Sequence, residues 1–100
     1  MILSNLKKVT IIADDALETY LIEEVRLAGA KGFTLEEARG DGLHGPKILA
    51  EEGRNIKIET VVSNKTAEKI LEVLAEKYLS RFSIITYLSD VYVLRGDRFI

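Results

Sequence analysis

An α+β fold, an antiparallel sheet with two helices packed on one face, is what the sequence predicts, and three observations predict it. The apolar period changes along the chain in the order strand, helix, strand, strand, helix, strand. Both helical stretches carry a recognisable start signal. One hundred residues, 47% apolar and 30% charged, is the size and balance of a single globular domain. That element order is the split βαβ, or ferredoxin-like, βαββαβ pattern.

The first strand is residues 9–13, Val-Thr-Ile-Ile-Ala, short and rich in β-branched side chains. Asp15 then provides an acidic N-cap, with Glu18 three residues later. Leu17, Leu21, Val25 and Ala28 fall on one helical stripe, joined by Tyr20, and Gly29 suits the helix end. Gly32 opens a second strand over 33–39. A third strand follows over 56–62, alternating cleanly at its start. Ser63 or Asn64 caps the second helix, whose stripe is Ala67, Ile70, Leu71, Leu74, Ala75 and Tyr78. The last strand region runs from Ser83 to about Leu94.

A sheet covered by helices on one face is expected to be polar on the other. This one is not. Ile84, Ile85, Tyr87, Leu88, Val91, Tyr92, Val93 and Leu94 put apolar groups on both faces of the last strand. Val9 with Ile12, and Val61 with Val62, do the same elsewhere. The economical cover for a second apolar face is another copy of the chain, so self-association is expected, in a number of copies the pattern leaves open.

Composition narrows the function. A net charge of −2 with both signs interspersed argues against a nucleic-acid binder. The absence of cysteine removes disulfides, thiolate metal sites and thiol catalysis. The start of the chain is too weakly apolar for a signal peptide, and no apolar run approaches the roughly 20 residues of a membrane span, so a cytoplasmic protein is expected.

Residues 41–53 follow neither period. Four of the seven glycines, Gly40, Gly42, Gly45 and Gly53, lie in or beside them, with the only proline, Pro46, and the only histidine, His44. A Gly-x-Gly at a strand end can present successive N–H groups to an anion. Arg39, Lys47 and Arg54 stand near enough in sequence to meet phosphate charge. The segment is neither a Walker A loop nor a dinucleotide fingerprint, because it lacks Gly-Lys-Ser/Thr and no helix follows it. A solvated hairpin loop and a ligand loop both remain open readings; the length favours function.

Gly29-Ala30-Lys31-Gly32-Phe33-Thr34-Leu35, followed by Arg39-Gly40-Asp41-Gly42, resembles the Gly-[Phe/Tyr/Leu]-Thr-Val…Gly-x-Gly stretch of PII signalling proteins. Asn55-Ile56-Lys57-Ile58-Glu59 resembles the strand that re-enters after their long T-loop. Glu76-Lys77-Tyr78-Leu79, Ile84-Ile85-Thr86-Tyr87 and Val93-Leu94-Arg95-Gly96-Asp97-Arg98-Phe99 resemble the bicarbonate-transporter-associated and carboxysome-associated PII-like branch. The resemblance spans about residues 8–99. It implies one PII-like domain over residues 1–100, a T-loop at about 41–53, and a homotrimer. It implies an adenine nucleotide (AMP, ADP, ATP or cyclic AMP) as effector in clefts between subunits, with bicarbonate as a candidate second ligand and no obligatory cofactor. It also implies regulation of a membrane transporter or another target through the T-loop, which would recruit the protein to the inner membrane.

Carried across by position, the resemblance assigns Gly40 and Gly42 to the T-loop base that lines the nucleotide, with Arg39 and Asp41 beside them. Gly32, Phe33 and Thr34 match the segment given by the adjacent subunit. Ile12, Glu59 and Val61 match strand positions that flank base or ribose, and Arg95 a C-terminal phosphate-binding arginine. Leu43, His44 and Lys47 are the expected partner contacts of the T-loop, with His44 also open to the reading of a solvated loop histidine. Two departures shape this expectation. The Gly-Asp-Gly-Lys-type phosphate loop is replaced by Leu79-Ser80-Arg81-Phe82-Ser83, in which Arg81 is a partial substitute, and the T-loop has no tyrosine to uridylylate. A thinner set of cations suits a nucleotide with few phosphates.

Competing roles are weak in the sequence. Glu36 and Glu37 are neighbours on a strand and point to opposite faces, a poor catalytic pair. Glu59 is read as either a solvated residue or a ribose acceptor, and Arg95 as either a salt-bridge partner or a phosphate ligand. Ser4 and Ser63 have no base beside them. No catalytic residue and no metal ligand is therefore assigned, and an enzyme is not expected. A metal-responsive or efflux-associated trimeric module and a weak nucleotide phosphatase are the alternatives; a lone histidine speaks against the first.

Overall fold

The computed structural model describes residues 1–40 and 54–100. Its elements are β1 (Ser4–Asp14), α1 (Glu18–Ala28), β2 (Thr34–Ala38), β3 (Asn55–Val62), α2 (Asn64–Lys77) and β4 (Ile85–Val93). Single 3₁₀ turns stand before α1, at Asp15–Leu17, and after β4, at Gly96–Phe99. The strands form one antiparallel sheet in the order β2-β3-β1-β4, the ferredoxin-like arrangement expected.

Alternation sorts the sheet's two faces. Val9, Ile11 and Ala13 of β1 and Ile56, Ile58 and Val62 of β3 point toward the helices and are buried. Leu17, Leu21 and Val25 meet them from the first helical segment, and Ala67, Ile70, Leu74 and Tyr78 from the second. Each fully buried Leu, Ile or Val contributes about 1.5–3 kcal/mol relative to exposure, so this one layer is the main stabilising term. Tyr78 closes it at the end of α2 and donates from its hydroxyl to Glu24 Oε2 at 3.0 Å, tying α2 to α1.

The caps follow local chemistry. Ser63 Oγ accepts from the Thr66 N–H at 3.2 Å and starts α2. Gly29 ends α1 with φ +119°, a left-handed angle that glycine takes without a Cβ penalty. The acidic cap before α1 is Asp14, not Asp15: Asp14 Oδ1 accepts from the Ala16 N–H at 2.8 Å, and Asp15 begins the 3₁₀ turn. Two stripe residues turn outward. Tyr20 is 62% exposed, and Ala75 is also exposed. A 3₁₀ turn winds more tightly than α-helix, so the stripe carried through it drifts and leaves Tyr20 beyond the core.

The face away from the helices carries Leu6, Ile12, Val61, Ile85, Tyr87 and Val91, in keeping with the apolar second face expected. Ile12 lies opposite Ile85 in the β1–β4 register; Ile85 is 41% exposed and Tyr87 49%. Toward β2 the same face becomes charged. No described helix is long and apolar enough to cross a membrane.

Candidate functional site

The site is a notch at one edge of the sheet. β2 begins its pairing at Thr34, opposite Glu59, so Thr60 and Val61 of β3 run on past it with no strand outside them. The turn between α1 and β2 crosses this gap. It is pinned there by Thr60, whose hydroxyl donates to the Gly32 carbonyl at 2.6 Å. The result is a cleft of about 310 Å³ floored by Glu59, Thr60 and Val61, walled by residues 31–34, and closed by Lys8 on one side and by Arg98 and Phe99 of the C-terminal turn on another.

The cleft combines three chemistries. Phe33 and Phe99 supply aromatic surface, and Thr34 supplies a hydroxyl. The Arg26 guanidinium lies 5.3 Å from the Phe33 ring centroid, on the side of α1. Glu59 supplies a carboxylate already held by cations: Lys8 Nζ and Lys57 Nζ reach its Oε2 at 3.5 and 3.6 Å. Lys57 also reaches Glu36 Oε1 at 3.3 Å, and Glu36, first by its contact and then by its charge, holds the Lys57 ammonium above the usual lysine range, with Glu59 adding to it. Lys31 and Arg98 are different. Neither makes an ion pair with any of the described residues, so both are available to an anion.

Gly32, Phe33, Thr34, Glu59 and Val61 therefore come together as cleft residues. Ile12 stands on the open sheet face outside the cleft lining, opposite Lys57 on one side and Ile85 on the other. Arg39 and Gly40 follow the far end of β2, separated from Thr34 by the length of that strand, about 13–17 Å. Arg95 begins the C-terminal turn in a left-handed conformation, φ 56°, and does not line the cleft; Arg98 does. Asp41, Gly42, Leu43, His44 and Lys47 lie outside the described residues. Lys8, Lys31, Thr60, Arg98 and Phe99 are the cleft residues that sequence reasoning did not assign. Lys31 and Arg98-Phe99 stood inside the quoted motifs; Lys8 and Thr60 had no local signal. Among the described residues no group of three or more His, Asp or Glu side chains is placed to hold a metal ion.

The fold and its site are those of a ferredoxin-like domain with a cleft between strand edge and C-terminal turn. Comparison narrows it: residues 6–98 match the nitrogen regulatory protein P-II family model, and the chain belongs to that family. It is 44% identical to a PII-like signalling protein of Thermus thermophilus, over 100% of both chains, with a TM-score of 0.87. It is 26% identical to CPII of Thiomonas intermedia solved with ADP, AMP and acetate, covering 99% of this chain and 98% of that one, again with a TM-score of 0.87. A second CPII structure, with ADP, AMP and bicarbonate, is 25% identical, with coverages of 98% and 96% and a TM-score of 0.79. No curated protein matches the sequence.

Proposed function

We propose that this PII-like signalling protein senses an adenine nucleotide in the strand-edge cleft and reports its presence to a partner protein through residues 41–53. The observation that carries the reading is the pairing of two cations that make no ion pair among the described residues, Lys31 and Arg98, with two aromatic side chains and a carboxylate in one cleft. Phosphate charge suits the cations, a purine face suits Phe33 or Phe99, and a ribose hydroxyl suits Glu59. CPII, which has bound ADP and AMP together with acetate or bicarbonate, supports the same ligand class here and bicarbonate as a second ligand. These two cations match one or two phosphates better than three, so AMP, ADP or cyclic AMP is preferred to ATP.

The working unit is a homotrimer. Two features support it. The sheet face carrying Ile12, Ile85 and Tyr87 needs a cover. The strand-edge cleft and the Gly40 end of β2, both assigned to the nucleotide, are too far apart in one chain to share a ligand, whereas neighbouring copies could bring them together. Nucleotide binding at the base of 41–53 would change the affinity of that segment for a cytoplasmic face of a transporter, with inorganic-carbon uptake the regulated process. The test is titration calorimetry with AMP, ADP, ATP and cyclic AMP, each with and without bicarbonate. Dissociation constants in the micromolar range for the nucleotides with one or two phosphates are expected, and failure of all four below millimolar concentration overturns the reading.

A further inference from the structure

The open sheet face holds a line of alternating charges: Glu36 on β2, Lys57 and Glu59 on β3, and Lys8 on β1. Glu36 sits directly opposite Lys57 in the β2–β3 register, and Glu59 is two residues along β3 on the same face. Only Lys8 and Glu59 line the cleft; Lys57 and Glu36 stand behind them. We propose that Lys57, braced by Glu36, is a positioning residue that presents the Glu59 carboxylate to the ribose hydroxyls of the nucleotide. This rests on the nucleotide reading above.

The argument is geometric. Lys8 and Lys57 both take Oε2 of Glu59, from β1 and from within β3, at nearly equal distance. Two cations drawn to one oxygen fix the carboxylate's rotation and leave Oε1 as the acceptor a sugar hydroxyl can use. With Lys8 alone, Glu59 could swing toward a single partner on the adjacent strand. The Glu36–Lys57 contact at 3.3 Å is the shortest of the three and fixes Lys57 in turn, and the ammonium stays charged throughout the range in which the protein would work. Lys57 is about 31% exposed and Glu59 about 29%, so the ladder is partly shielded where it meets the cleft. A ladder serving only to join strands would have no reason to end on a cleft carboxylate.

The experiment compares ADP with its 2′,3′-dideoxy analogue, by calorimetry on the full chain and on Lys57→Met, Lys57→Arg and Glu36→Gln. Lys57→Met is expected to weaken ADP by about three- to fivefold, the scale of a misaligned charge-assisted hydrogen bond, and the dideoxy analogue by less than about twofold. Lys57→Arg should restore ADP binding, and Glu36→Gln should show the same ligand pattern at smaller amplitude. Equal losses for both ligands, or no loss for either, overturn the inference while leaving the nucleotide reading intact. If the unaltered protein binds ADP no better than millimolar, both fall. Should Lys57→Met melt early, Glu36→Gln, which removes charge without changing length, decides by the same ratio.

Discussion

At the residue scale, Thr60 has a part that its side chain alone would not suggest. Its hydroxyl is buried on the helix side of β3, and its bond to the Gly32 carbonyl holds the turn that carries Lys31 and Phe33. Thr60→Val keeps the shape and removes the donor. It should cost about 1 kcal/mol of stability in chemical denaturation, because the hydrogen bond from the buried Thr60 to the turn is lost. It should also weaken ADP binding, which calorimetry would read directly. Tyr78 gives the residue-scale pH dependence. Burial, followed by the Glu24 carboxylate, pushes its phenol up to about 12 from an unfolded value of about 10. The native state thus holds this proton more tightly than the unfolded chain does. Its contribution is complete below pH 10 and is lost as pH climbs toward 12. Tyr78→Phe should flatten the stability curve between those limits relative to the unaltered protein, while lowering stability at pH 8 by about 1 kcal/mol as Glu24 loses its donor. Denaturation midpoints measured across pH 8–12 for both proteins would check it.

At the element scale, the C-terminal turn decides the shape of the cleft, and one contact seats it. Gly96 is buried against Ser4 at the start of β1, and a Cβ at position 96 would overlap the Ser4 side chain. Gly96→Ala should push the turn outward, moving Arg98 and Phe99 from the cleft. ADP affinity is then expected to fall by more than tenfold, the equivalent of about 1.4 kcal/mol, with the melting temperature lowered by a few degrees. Adding Ser4→Gly makes room for the new methyl and should recover most of both; calorimetry and thermal melts of the single and double variants give the coupling. Such pairings mark the boundary of what the sequence could tell. Periods and caps made the order of elements legible, because they are local: Ser63 and Gly29 declare helix ends within four residues. The Gly32-Phe33-Thr34 wall and Glu59 were legible through the family motif. Lys8 was not, since it reaches the cleft from a distant strand with no local signal, and Arg98, although inside the quoted C-terminal motif, was passed over for Arg95. Arg95 and Arg98 are three residues apart on a short turn that opens in a left-handed conformation, and it is Arg98 that lines the cleft.

At the scale of the whole molecule, the proposed trimer makes the open sheet face the link between assembly and binding. Its apolar half, centred on Ile12, Ile85 and Tyr87, adjoins the charged ladder that ends in the cleft. One copy alone would leave this surface wet and would keep the two ends of the proposed nucleotide site apart. Ile85→Asp places a charge opposite Ile12 on a face that three copies are proposed to share; burying it there without a partner costs several kcal/mol, whereas an isolated chain keeps it in water. The substitution should therefore break the assembly without unfolding the domain, because Ile85 lies outside the buried core between sheet and helices. Sedimentation velocity is expected to give three chain masses for the unaltered protein and one for the variant, with matching far-ultraviolet circular dichroism. ADP binding should fall with the assembly, since the Gly40 end of a neighbouring β2 would no longer reach the cleft. A variant that stays trimeric, or one that becomes monomeric and still binds ADP as tightly, would show that this face and the cleft are independent of each other.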